Sequence, residues 1–161
     1  MPRYIPSGVA KVVFAPSVAN RAAPTQAEIT AGTTLTVAGT TAAAGLVEMS
    51  GFETASSDVE TPDVSSRFTA KIPGRTGTSD ASATFYDDDA TLTIRTALAE
   101  GTAGVMIIMR KGGTTGFPTE CYPCTVNVLN SSQVTSANEP SKFMVTFSLS
   151  AAPTKVGVIA A

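Results

Sequence analysis

Apolar and polar residues alternate along much of this chain in short runs rich in Val, Ile, Thr and Phe, punctuated by 13 glycines and 10 prolines. Period-two runs bounded by turn residues predict short strands. The clearest runs from 143 to 149, where Phe143, Val145, Phe147 and Leu149 share one face and Met144, Thr146 and Ser148 the other. Ala81, Ala83 and Phe85 oppose Ser82, Thr84 and Tyr86, and Phe68, Ala70 and Ile72 oppose Arg67, Thr69 and Lys71. Tyr122, Cys124, Val126 and Val128 oppose Pro123, Thr125 and Asn127. Residues 105–109 are apolar on both faces, which predicts a strand covered on both sides.

One segment changes period. Over residues 88–100, Ala90, Ile94, Ala97 and Leu98 recur at helical spacing. Asp87, Asp88 and Asp89 offer an N-cap and favourable charge, and Gly101 stands where a C-terminal cap belongs. The pattern predicts one helix of about three turns, a typical length. Residues 29–47 carry no charge and predict an extended or loosely paired segment. Residues 48–75 separate their charges instead: Glu48, Glu53, Asp58, Glu60 and Asp63 precede Arg67, Lys71 and Arg75. With Pro62 and two Ser-Ser pairs, this region reads as a long polar connection, the kind of loop that usually serves an interaction. The expectation is a single mainly-β domain over 1–161, a sandwich with one flanking helix.

Composition narrows the function. Only 15% of residues are charged, against about 25% in ordinary soluble domains. The surface must therefore be rich in Ser and Thr or covered by neighbouring copies. The net charge of -2 gives no basic face for a phosphate backbone. There is no histidine, so a Ser-His-Asp triad, a Cys-His pair and imidazole metal sites are all impossible. No apolar run approaches the roughly 18 residues of a membrane helix, and Met1-Pro2-Arg3-Tyr4 is not followed by a signal-like apolar stretch. The chain is expected to be soluble and non-enzymatic, with no cofactor, no metal and no membrane partner.

Three motifs carry candidate chemistry or contacts. Cys121-Tyr122-Pro123-Cys124 has CxxC spacing, but on a strand the two side chains point to opposite faces and no helix dipole activates them. A zinc site would lack thiol and imidazole ligands beyond these two, so structural thiols are the preferred reading. The Asp87-Asp88-Asp89 run lacks the spacing of a calcium loop, and capping explains it. The segregated charges of 48–75 leave two readings open: a solvated loop with local ion pairs, or a seam between copies. The strands' small polar second faces likewise fit either one wet face per sheet or a channel lining in a ring of copies.

The segments Phe68-Thr69-Ala70-Lys71-Ile72-Pro73-Gly74-Arg75-Thr76 and Ala83-Thr84-Phe85-Tyr86-Asp87-Asp88 resemble the major tail tube proteins of long-tailed, non-contractile, siphovirus-type bacteriophages, particularly the actinobacterial-phage type. The resemblance extends upstream through Pro62-Asp63-Val64-Ser65-Ser66-Arg67 and downstream through the helix, 100–110, 122–128 and 142–149, covering most of 46–152. It implies a β-sandwich with one helix on its flank, in a virion protein whose six copies form a ring. Stacked rings would make a hollow tube through which DNA passes without sequence-specific binding. Tape-measure and tail-terminator or tail-tip proteins are the implied partners. The resemblance also implies ring-to-ring contacts through an N-terminal arm or first strand (1–14), a long loop (53–75) and a C-terminal arm (153–161). Asp58, Glu60 and Asp63 are expected to meet Arg67, Lys71 and Arg75 of another copy. A contractile-tail or secretion tube protein is the nearest alternative, and a surface-binding sandwich module a more distant one.

Overall fold

The computed structural model describes residues 10–36, 45–62, 65, 67–78, 80–87, 92–133 and 140–161. Ten strands and two short helices follow in the order β1 (Lys11–Ala15), α1 (Gln26–Ala31), β2 (Thr33–Thr34), β3 (Leu46–Ser50), β4 (Thr54–Thr61), β5 (Ala70–Thr78), β6 (Ala81–Tyr86), α2 (Thr93–Ala97), β7 (Ala103–Met109), β8 (Pro118–Gln133), β9 (Lys142–Leu149) and β10 (Thr154–Val158). Every strand pairing is antiparallel. The main sheet runs β2-β1-β7-β8-β9-β6-β3, with β10 added beside β8, while β4 and β5 form a separate two-stranded ribbon.

The long strand β8 organises the sheet. Residues 120–125 pair with β7 on one edge, and the other edge takes β10 at 118–121 and β9 from Cys124 onward. Val12 and Phe14 of β1 share a core cluster with Ala83 and Phe85 of β6, although β7, β8 and β9 lie between them in strand order. The sheet therefore curls upon itself, giving a sandwich-like body. Leu35 draws the two margins together: its N–H donates to the Val12 carbonyl (2.8 Å) and its carbonyl accepts from the Leu46 N–H (3.2 Å). Phe85 stacks on Phe143 with centroids 5.2 Å apart inside this core.

The strand over 105–109 is covered on both sides as its sequence predicts. Met106 enters the main core, while Val105, Ile107 and Met109 join Val13, Ala15, Cys121, Ile29 and Ile159 in a second cluster on the sheet's outer face. The faces read from 81–86 and 143–149 also hold: Ala81, Ala83, Phe85, Phe143, Val145 and Phe147 are buried. Val128 departs from its expected face. A register shift between Val126 and Val128 turns it outward, to 46% exposure.

Both helices differ from expectation. The stretch from Ile29 is not extended at its start, because α1 closes over it with a capping box. The Thr25 hydroxyl accepts from the Glu28 N–H (3.3 Å) and the Glu28 carboxylate accepts from the Thr25 N–H (2.8 Å). Residues 37–44 of that stretch lie outside the described residues. The second helix spans only Thr93–Ala97, and its N-cap is Leu92, without a side-chain hydrogen bond. Asp88 and Asp89 lie outside the described residues. Asp87 contacts Arg95 at 3.0 Å, a close ion pair without the direction of a hydrogen bond, and the Arg95 guanidinium lies 4.7 Å from the Phe143 ring centroid. Arg95 thus ties α2 to the body, so packing rather than capping holds this short helix. Gly101 sits beyond the helix at φ +80, where it turns the chain into β7.

The segments expected as arms are partly built into the body. Residues 1–9 lie outside the described residues, but β1 is an interior strand with Val12, Val13 and Phe14 buried. At the other end β10 pairs with β8, Ile159 is buried, and Ala160 donates its N–H to the Pro24 carbonyl (2.9 Å). The long polar connection is neither loop nor coil over most of its length but the β4–β5 ribbon.

Truncating Phe147 to alanine removes a fully buried ring and lowers unfolding stability by about 3–5 kcal/mol. Ile72→Ala, on the ribbon and 52% exposed, changes it by less than about 0.5 kcal/mol. Denaturant unfolding of both variants checks the contrast, and equal losses would mean the ribbon contributes to the folded core.

Candidate functional site

The ribbon is the least self-sufficient part of the molecule. Its register sets Val59 opposite Ile72, Glu60 opposite Lys71, Asp58 opposite Pro73 and Thr61 opposite Ala70. Alternation therefore gives it an apolar face, with Val59 (49% exposed) and Ile72 (52%), and a charged face with Asp58, Glu60 and Lys71. Its two strands pack chiefly on each other rather than on the body. Phe68, in the connection between them, is 77% exposed. The apolar alternation read at 68–72 is real, yet the expected burial is not supplied by this chain.

Five of the six charged residues singled out from sequence lie on this ribbon or its connection, all exposed. Asp63 lies outside the described residues. Lys71 and Glu60 pair within one chain at 3.6 Å, with side chains 56% and 64% exposed, a contact that contributes little stability. Arg75 takes part through its backbone, its carbonyl accepting from the Ser57 hydroxyl (3.1 Å). Arg67, Arg75 and Asp58 have no ion-pair partner among the described residues.

The ribbon is rooted at residues 51–54. Gly51 has φ +76, and a Cβ there would collide with the Asp80 carbonyl where the chain crosses itself on leaving the ribbon. Phe52 drives into the core, edge-on to Tyr122 (5.4 Å between centroids) and tilted against Phe147 (5.9 Å). Lys155 of β10 donates to the Thr54 hydroxyl. Beside this root lies a cavity of about 620 Å³ with Phe52, Met49 and Ile108 among its apolar lining and Glu53, Arg110, Glu120 and Lys155 among its charged groups.

Sequence reasoning missed this cluster. Arg110 donates to Glu120 through Nε (2.9 Å) and Nη2 (3.3 Å), and the Tyr122 hydroxyl donates to the same carboxylate (2.8 Å). Burial pushes the Glu120 carboxyl up, but the hydrogen bonds from Arg110 and Tyr122 together outweigh it and hold Glu120 below the ordinary carboxylate range. Burial, then donation to Glu120, pushes Tyr122 up to about 12. The available signal was the placing of Arg110 and Glu120 on either side of the Gly112-Gly113 turn, which brings their strands together as an antiparallel pair.

A third surface is the outer face of β3, β6, β9 and the far half of β8. Ser50 and Ser82 hydrogen-bond across strands (2.9 Å), Asn127 donates to Ser148 (2.6 Å), and Thr84 pairs with Met144. Its charges are few: Glu48 on β3, and Lys142 with its ammonium 5.8 Å from the Tyr86 ring centroid. Small polar groups are joined there by the exposed apolar side chains of Met144 (37%) and Val128 (46%).

The cysteines lie on opposite faces of β8. Cys121 belongs to the outer cluster and Cys124 to the main core, both as free thiols. Burial pushes each up to about 11. Among the described residues no group of three Cys, Asp or Glu side chains could hold a metal ion, and no helix is long and apolar enough to cross a membrane. Because the folded state favours the neutral thiols, their stabilising effect is complete below the ordinary value of 9.0 and is lost as pH rises toward about 11. Thermal unfolding across that window should show the midpoint falling. At neutral pH a thiol reagent should label neither cysteine until the protein unfolds, and labelling of native protein would contradict the buried geometry.

No curated protein matches the chain. The sequence model of the phage tail tube protein family, by contrast, matches residues 1–161. That match agrees with the mainly-β sandwich-like body, and it makes the protein a virion component. The chain belongs to the phage tail tube protein family.

Proposed function

We propose that six copies of this chain close into a ring, that rings stack into the hollow tail tube, and that the phage genome passes through it without sequence-specific binding. The observation that carries the reading is the ribbon, whose apolar face is left to solvent by its own chain. An isolated two-stranded ribbon is marginal in water, so a second copy covering Val59 and Ile72 would complete it. The charges of this region, Arg67, Lys71 and Arg75 with Asp58, Glu60 and Asp63, then meet opposite charges on other copies, fixing register more than affinity. Membership of the family supports the tube, and the number six rests on the resemblance carried by the sequence motifs. Tape-measure, terminator and tip proteins are the partners that such a tube needs along its bore and at its ends. No step in this function calls for catalysis.

The bare polar face of β3, β6, β9 and β8 is the surface suited to the bore. The opposite outer face, over β1 and β7, is sealed by α1 and Ile159. A lining of Ser, Thr and Asn with Met144, Val128, Glu48 and one lysine drawn toward a tyrosine ring offers DNA few cations from which to displace counterions. Lateral contact falls to the sheet margins: β3 beyond Leu46, and the part of β8 that outruns β7.

Electron microscopy of the purified protein tests assembly: rings or tubes are the expected result, and a monomer at every salt and concentration would refute the reading. Ile72→Glu should leave the thermal midpoint near that of the native protein while abolishing assembly, since the side chain is exposed in the free chain and covered in the tube. Thr84→Lys with Thr146→Lys tests the bore. Tubes should still form, but DNA delivery by phage carrying them should slow; unchanged delivery would place this face elsewhere.

A further inference from the structure

The cavity beside the ribbon's root has no role in covering the ribbon's apolar face, and its position gives it another. We infer that it is the receptor for the ribbon tip of a second copy, with Phe68 as the inserted side chain, an assignment that rests on the tube reading. Cavities of about 620 Å³ are large enough to enclose ligand-sized groups, well above a single phenyl side chain. Phe52 and Ile108 offer the ring apolar surface, and Arg110 stands at the same cavity with its guanidinium paired to Glu120. Phe68, at 77% exposure, is the most solvent-exposed aromatic residue among those described. Buried aromatic anchors in pockets carry most of the binding energy at protein interfaces.

A chain's own tip is out of reach of its own root. The eight residues of β4 span about 25 Å at the usual rise per strand residue. Contact between a tip and a root is therefore between copies, and it joins two different surfaces head to tail, the arrangement that builds rings or filaments rather than closed dimers. Charge agrees. Arg67 precedes Phe68 at the tip, and Glu53 follows Phe52 at the root; both are exposed and neither has an ion-pair partner among the described residues. Seating Phe68 in the cavity sets this cation beside this carboxylate.

Cross-linking tests the assignment in full-length protein. Phe68→Cys and Glu53→Cys are prepared separately, mixed under assembly conditions and treated with a short bismaleimide. The native thiols, buried and pushed up to about 11, stay silent. A covalent dimer requiring both variants is expected. Rings or tubes visible by microscopy without that dimer would overturn the receptor while leaving the tube intact; wild-type protein that never assembles would overturn both. Should Phe68→Cys itself prevent assembly, charge exchange decides. Arg67→Glu and Glu53→Arg should each reduce assembly about tenfold, as loss of an interface contact does, and together restore it. Failure of the double variant to recover would sink the assignment.

Discussion

Phe52 is the side chain through which body and ribbon become one molecule. It leaves the sheet directly after the positive-φ Gly51 and packs on Tyr122 and Phe147. The ribbon begins two residues later, and on the return path Asp80 crosses against Gly51. The hairpin is rooted at both ends, by Phe52 before β4 and by the buried Ala81 after β5, with Lys155 contacting Thr54 beside them. An aromatic ring among aromatic neighbours is hard to displace. The ribbon can therefore be projected rigidly at its base although it buries almost nothing along its length.

Charge is distributed to match. Ordinary soluble proteins spread Lys and Glu over every exposed face. Here the outer face of β3, β6, β9 and β8 keeps Glu48 and Lys142 among hydroxyls, amides and the apolar Met144 and Val128, while the ribbon and its connection gather Asp58, Glu60, Arg67, Lys71 and Arg75. The ion pair of highest geometric quality, Arg110 with Glu120, lies at the ribbon's root and is reinforced by Tyr122. Charges are abundant on the ribbon and its root, and sparse on the sheet face. The low overall charge is thus concentrated rather than uniformly thin.

The strands were legible wherever one face met the core. Phe143, Val145 and Phe147 are buried in the alternation their sequence shows, and the doubly apolar 105–109 run lies between two clusters. What escaped depended on distant parts of the chain. Val128 turns outward because β8 slips its register against β9, an event no local pattern encodes. The helix at 93–97 begins after Leu92, without a side-chain cap, and Arg95, on Phe143 and Asp87, ties it to the body, contacts that local periodicity does not encode. The capping box at Thr25 and Glu28 is legible in principle but masked by the uncharged stretch beginning at Ile29. Of the candidate residues, the ribbon charges were found from their segregation, whereas the Arg110–Glu120–Tyr122 cluster required the β7–β8 register.

The alternation at 68–72 separates two properties that sequence patterns usually merge. Period two is a statement about which residues share a face, and burial is a separate statement about what covers that face. In β6 and β9 the same chain supplies both. In the ribbon it supplies only the first, leaving Val59 and Ile72 half exposed. A sequence cannot keep an apolar face through two paired strands without exposing it to aggregation unless something covers it. For a member of a tube-forming family, the cover most abundant at the site of assembly is another copy of the same surface-bearing chain. The alternation at 68–72 is therefore the pattern of a face built for burial, one that the single chain leaves half exposed.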